Sequence, residues 1–168
     1  MSRLDSFIRR LEAQRDCLAY AARLIAGVPG PVLELGLGNG RTYDHLRALL
    51  PDRAIFVFDR HIAAHPDCVP DAAHMILGDI RETLPPALAR IGAPAALAHC
   101  DIGTGDADSN ATLAAFLAGC LPALMAPGGL VVSDQEIAMP ASEPVGLPGG
   151  VAAGRYFIRR ARSPHAAA

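Results

Sequence analysis

The sequence predicts an α/β fold in which helices cover both faces of a doubly wound, mostly parallel sheet. Five short apolar segments alternate with helical segments, and every apolar segment ends at a Gly or an Asp. Segments of this length, with little alternation of polar and apolar residues, are typical of strands buried on both faces. Their alternation with helices predicts the doubly wound arrangement. The predicted strands are residues 32–36, 54–59, 75–79, 96–101 and 130–134.

An amphipathic helix is predicted over residues 3–26, ahead of the first strand. Its apolar residues recur at helical spacing, so that they form one stripe. Ser2 and Asp5 supply an N-cap, and the glycines and prolines of residues 27–31 end the helix. Further helices are predicted at residues 41–50, 84–91 and 107–125.

The alternation of strands and helices stops after Asp134. Residues 138–154 contain three Pro and four Gly, which is too many for a helix. Residues 155–161 predict a last strand, with an antiparallel position at the edge of the sheet as one option. Residues 163–168 predict a disordered tail.

The composition excludes several classes of function. The 168 residues fit one domain (1–168), with a core at 30–135 and a loop and last strand at 136–161. A net charge of −2 and the absence of Trp argue against nucleic-acid binding. The sequence has no Lys, which excludes Schiff-base chemistry and a P-loop.

The sequence also indicates where the protein works. Its four cysteines are scattered, as expected of free thiols in a reducing compartment. The charged N-terminus does not resemble a signal peptide, and no apolar run is long enough to span a membrane. We therefore expect a cytoplasmic protein that neither crosses nor binds a membrane.

A glycine loop follows the first predicted strand and precedes a helix. Gly36, Gly38 and Gly40 allow a sharp turn and let a ligand approach the backbone closely. The next helix supplies free N–H groups and a partial positive charge. A dinucleotide-binding loop would need Gly at the position of Arg41, which argues against an NAD(P)-dependent oxidoreductase.

The segment Glu34-Leu35-Gly36-Leu37-Gly38-Asn39-Gly40 resembles the loop of class I S-adenosylmethionine-dependent methyltransferases at every position. The resemblance covers roughly residues 30–135, and GLGNGRTYDHL, VFDR, LGDI, HCDIG and GRYF resemble a group of short, stand-alone methyltransferases within that family. It implies a Rossmann-like sheet of the class I methyltransferase type. The chain departs from the larger family by being shortened at its C-terminus, without a full helix and strand after the fifth strand and without an inserted substrate domain.

The resemblance implies S-adenosyl-L-methionine as the cofactor and assigns its contacts to the ends of successive strands. Asp59 would accept the ribose hydroxyls, and Asp79 would contact the adenine amino group with Ile80 beside the ring. Asp101 would lie next to the methyl group. The implied cofactor-binding residues are Glu34, Gly36, Leu37, Gly38, Asn39, Gly40, Thr42, Asp59, Arg60, Asp79, Ile80, Asp101 and Ile102.

Asp101 is the first candidate for a general base, because it ends the strand at the topological switch point. A magnesium site formed by Asp101, Asp134 and Gln135 is an alternative, since catechol-type O-methyltransferases bind Mg²⁺ with Asp followed by Asp-Asn at these places. Each aspartate could instead only cap a helix or a turn. Weaker candidates for a base are His61, Tyr43 and His45.

We therefore interpret the chain as a methyltransferase with a small-molecule acceptor. A protein that binds S-adenosylmethionine without catalysis is the alternative, because the C-terminal elements are few. The apolar stripe of the first helix either packs in the core or forms a homodimer contact.

Overall fold

A computed structural model of the chain describes residues 2–162, and the predicted tail at 163–168 lies outside the described residues. Its sheet has seven strands in the order β3-β2-β1-β4-β5-β7-β6. Strands β1 to β5 are parallel, and β7 is antiparallel to both β5 and β6. The strands are β1 Val32–Leu35, β2 Ile55–Asp59, β3 Met75–Leu77, β4 Ala95–Cys100, β5 Met125–Ser133, β6 Ser142–Pro144 and β7 Phe157–Ala161. The predicted α/β fold with a mostly parallel, Rossmann-like sheet is confirmed.

The last part of the sheet differs from the prediction in two details. The last strand, β7, is antiparallel as one option had it, but it lies inside the sheet because β6 pairs with its outer side. Strand β6 falls within residues 138–154, which were predicted to be a loop. Within residues 134–162, all of which the structure describes, no helix connects the strands. After β5, the described part of the chain therefore has two strands and no helix.

Capping residues and prolines determine where the helices begin and end. Ser2 and Asp5 form the expected capping box at the start of the first helix. The predicted helix at 84–91 instead starts earlier and is interrupted by Pro85 and Pro86, which lack an N–H group. The helix predicted at 107–125, which Pro122 was expected to end or bend, ends at Cys120, and Pro122 lies in the 3-10 turn that follows. The helices are α1 Arg3–Leu24, α2 Arg41–Leu49, α3 Ile80–Thr83, α4 Ala87–Ile91 and α5 Ala107–Cys120.

Two apolar layers cover the two faces of the sheet. On one face, Cys17 and Leu18 of α1 pack with Val32 and Leu97 of the central strands. On the other face lie the apolar side chains of α4 and α5. Helix α1 runs opposite to the parallel strands, so its N-terminal half lies at their carboxyl ends, where Gln14 contacts Asp101. No helix in the described part of the chain is long and apolar enough to cross a membrane.

Candidate active site

The glycine loop between β1 and α2 has a backbone that favours glycine. Gly36, Gly38 and Gly40 have φ angles of 99°, 52° and 83°. A Cβ atom on Gly36 would collide with the side chain of Ile102, whereas one on Gly38 would meet no atom within 4 Å. The loop is therefore closely packed on its inner side and open on its outer side at Gly38.

Asp59, at the end of β2, fastens this loop. Its Oδ2 accepts hydrogen bonds from the backbone amides of Leu37 (2.8 Å) and Gly38 (3.0 Å), and its Oδ1 accepts from Arg60 (2.6 Å). Burial raises the pKa of Asp59, but the backbone amides lower it more, so that the pKa lies below its usual value. A charged carboxylate is thus fixed beside the open face of the loop.

Asp79, which follows β3, stabilises the neighbouring turn in a similar way. Its Oδ1 accepts from the Arg81 amide at 2.9 Å and caps helix α3. Its Oδ2 accepts from the Arg60 guanidinium at 2.8 Å. The amide and the guanidinium together hold the pKa of Asp79 below its usual value. The turn beside Ile80 is therefore stabilised by an ion pair as well as by packing.

A cavity of about 380 Å³ opens between these strand ends and helix α5. This volume lies within the range of roughly 300–1,000 Å³ that is typical of small-molecule pockets. Five of the residues implied by the sequence line it: Gly36, Asp59, Arg60, Ile80 and Ile102. The remaining lining residues are Phe58, Gly78, Arg81, Thr104, Ser109, Asn110 and Leu113.

A buried polar network lies beneath the loop on the α1 side of the sheet. Glu34 and His99 are fully buried, and His99 Nδ1 donates to Glu34 Oε2 at 2.7 Å. The other oxygen of Glu34 accepts from the hydroxyl of Thr42, and His99 Nε2 lies 3.1 Å from the hydroxyl of Tyr156. Burial lowers the pKa of His99, but the Glu34 carboxylate raises it more, and the net change is upward. Glu34 and Thr42 therefore bind each other, under the loop.

A second polar group lies at the ends of β4 and β5. Asp101 Oδ2 accepts from Gln14 Nε2 at 2.5 Å and from the Arg10 guanidinium at 3.1 Å. Asp134 follows β5, and Gln135 donates to its Oδ2 at 3.3 Å. Burial and the nearby Asp101 carboxyl raise the pKa of Asp134. The structure thus brings together all three residues of the magnesium alternative.

This arrangement has counterparts among known proteins. A family model described as S-adenosyl-L-methionine methyltransferase matches residues 1–161. The chain belongs to this methyltransferase family. A crystal structure of an S-adenosyl-L-methionine methyl transferase from Silicibacter pomeroyi DSS-3 is 48% identical, covers 95% of this chain and 98% of its own, and has a TM-score of 0.89. No curated protein matches the sequence significantly.

More distant structures share the fold of this methyltransferase. TrmN from Thermus thermophilus is 19% identical, with a TM-score of 0.59 over 85% of this chain and 48% of its own. N-methyltransferase NodS from Bradyrhizobium japonicum WM9 is 15% identical, with a TM-score of 0.55 over 96% of this chain and 99% of its own. The chain is an S-adenosyl-L-methionine-dependent methyltransferase, as its loop indicated.

The remaining candidate residues of the methyltransferase do not line the cavity. Asn39 accepts from the Arg41 amide at 3.3 Å, and Gly40 caps α2. Tyr43 is buried in the core between α2 and the sheet, which does not suit a base that must reach a substrate. His61 is exposed beside the loop. In residues 2–162, no three His, Cys, Asp or Glu side chains are grouped so as to hold a metal ion.

Sequence reasoning missed four polar residues near the site: Arg10, Gln14, His99 and Tyr156. Two of these residues stand out in the sequence itself. His99 interrupts an otherwise apolar strand, and Gln14 interrupts the buried stripe of α1. A polar side chain at a buried position must find a partner, which predicts a network although it does not identify the partner.

Proposed function

We propose that this methyltransferase acts on a small-molecule acceptor and binds its cofactor across the glycine loop. The observation that carries the proposal is the cavity beside the loop, with the Asp59 carboxylate at its edge. The open outer face of Gly38 is where a Cβ atom would obstruct a ligand. These features fit an adenosyl group, which needs an apolar slot for its base and an acceptor for its ribose hydroxyls.

Each cofactor contact can be attributed to a residue at the loop or at a strand end. The adenine would lie between Ile80 and Ile102, near Asp79, and the ribose would bind Asp59 beside Arg60. Gly36, Leu37, Gly38, Asn39 and Gly40 would provide the backbone surface. Glu34 and Thr42 would act from beneath, because their hydrogen bond ties the strand before the loop to the helix after it. They would therefore position the loop without touching the cofactor.

The cofactor supplies a methyl group on a sulfonium, and the chain's main task is to align the acceptor with it. Alignment can contribute about 7–11 kcal/mol of barrier reduction. Asp101 is proposed as the group that accepts a proton from a hydroxyl or amine acceptor. Gln14 and Arg10 hold its carboxylate in one orientation. Asp101 would then act as a fixed base at the switch point of the sheet.

We infer that the acceptor is not a nucleic acid, because the net charge is −2, and we therefore propose a small molecule as the acceptor. The chain is proposed to form one domain over residues 1–168. All four cysteines are unpaired, which supports a cytoplasmic location. A homodimer remains a prediction that rests on the exposed Leu4, Phe7 and Ile8 of α1.

The test is transfer of isotope-labelled methyl from S-adenosyl-L-methionine to a panel of phenols, amines and thiols. We expect a labelled product with one acceptor class, and Asp101→Asn should lower kcat more than it weakens cofactor binding. Tight binding of S-adenosyl-L-methionine without product over the whole panel would support the binding protein without catalysis.

A magnesium-dependent O-methyltransferase is the second candidate, because Asp101 and Asp134 follow the paired ends of β4 and β5 and offer the oxygen ligands that Mg²⁺ prefers. The Arg10 guanidinium on Asp101 argues against it, since a cation already occupies that carboxylate. Treatment with EDTA followed by Mg²⁺ decides the matter. Activity that is lost and then restored requires the metal, and unchanged activity excludes it.

A further inference from the structure

The ion pair between Arg10 and Asp101 lies next to the glycine loop. In the register of the sheet Leu35 is opposite Cys100, so the residues that follow them, Gly36 and Asp101, are neighbours. The Asp101 side chain is only 15% exposed, whereas that of Arg10 is 46% exposed. Within the described residues, Arg10 donates a single hydrogen bond from its guanidinium, which has five N–H groups. The remaining donors are available to a ligand.

The pair and the cavity lie on opposite sides of the loop. The cavity is lined by Asn110 and Leu113 of α5, on one face of the sheet. Asp101 is held by α1, on the other face. A cofactor with its adenosine in the cavity would cross the loop, and its other end would then lie towards Arg10 and Asp101. That end is an α-amino acid, with an ammonium and a carboxylate on the same carbon.

We propose that the Arg10 guanidinium binds the carboxylate of the cofactor's methionyl group. A guanidinium presents two parallel N–H groups that match a carboxylate. Gln14 keeps Asp101 in place, so the pair is ordered before the ligand arrives. This assignment rests on the proposed function, because it takes the adenosine position from it.

Helix α1 then has a direct part in recognition. Its N-terminal half, which lies at the carboxyl ends of the strands, would close one end of the cofactor site. A purely structural role for the ion pair, in which it only fastens α1 to β4, predicts something different. Loss of Arg10 would then weaken all ligands of the site equally.

The experiment compares two ligands that differ only in the carboxylate: S-adenosylhomocysteine and its decarboxylated analogue, S-adenosyl-3-thiopropylamine. Calorimetry gives both affinities for the wild type, for Arg10→Ala and for Arg9→Ala. Arg9 is an exposed neighbour on the same helix, and its removal changes the net charge equally. We expect the wild type and Arg9→Ala to prefer the carboxylate-bearing ligand by about tenfold or more. Arg10→Ala should bind the two ligands with nearly equal affinity.

Two results would overturn the assignment while leaving the proposed function intact. One is a wild-type preference for the carboxylate that persists in Arg10→Ala. The other is a parallel loss of both affinities in Arg10→Ala, which would mean that the ion pair only attaches α1 to β4. If the wild type binds neither ligand, the proposed function itself fails and this assignment fails with it.

Discussion

A valine at position 38 tests whether the open face of the glycine loop holds the cofactor. Gly38 has a φ of 52°, which valine adopts only with strain of about 1–3 kcal/mol. Small domains are stable by about 5–15 kcal/mol, so the variant should still fold. No protein atom lies within 4 Å of the position of the new Cβ. The added side chain would therefore extend into the open space where we propose that the cofactor lies.

Gly92→Val is the matched control. Gly92 has a φ of 80° at the end of α4, and a Cβ there also meets no atom within 4 Å. Both variants should lower the Tm by a similar amount, about 2–4 °C for each kcal/mol of strain. Calorimetry with S-adenosylhomocysteine should find wild-type affinity in Gly92→Val and a loss of more than about tenfold in Gly38→Val. Equal affinities in the two variants would show that the ligand does not lie against Gly38.

Three further predictions concern the polar groups around the loop. Asp59→Ala should weaken S-adenosylhomocysteine binding by about tenfold or more in calorimetry, because the loop amides and the ribose lose their acceptor. The control variant Asp44→Ala removes only the exposed partner of Arg47 and should leave the affinity unchanged. In urea unfolding, Glu34→Leu and His99→Leu should each cost about 3–5 kcal/mol, and the double variant should cost clearly less than their sum; additive losses would mean that the pair is not coupled. The raised pKa of His99 means that its proton stabilises the folded state fully below the unfolded value of about 6.5. Stability should therefore fall as the pH rises through the higher pKa of the folded state, and His99→Gln should remove this component of the pH dependence.

The local parts of the fold could be predicted from the sequence. Runs of apolar residues placed the five parallel strands, and the glycines with Asp59 indicated the loop and the strand end beside it. These features depend on neighbours along the chain or on the rule that parallel strands end at one edge. The implied contacts of the loop residues with a cofactor remain predictions.

The contacts that complete the site could not be predicted, because they join distant parts of the chain. Gln14 and Asp101 are 87 residues apart, and Glu34 and His99 are 65 apart. Nothing in the local pattern states which buried polar residue pairs with which. Strand β6 was missed for a related reason, since three residues are too short for a periodic pattern and only pairing with β7 defines them as a strand.

A crystal structure of the protein with S-adenosylhomocysteine would locate the cofactor directly. We expect the adenine between Ile80 and Ile102, the ribose hydroxyls at the Asp59 carboxylate, and the sulfur next to the glycine loop. A ligand bound elsewhere, or a cavity filled by protein side chains at ligand concentrations that saturate the site in solution, would show that the glycine loop does not bind the cofactor.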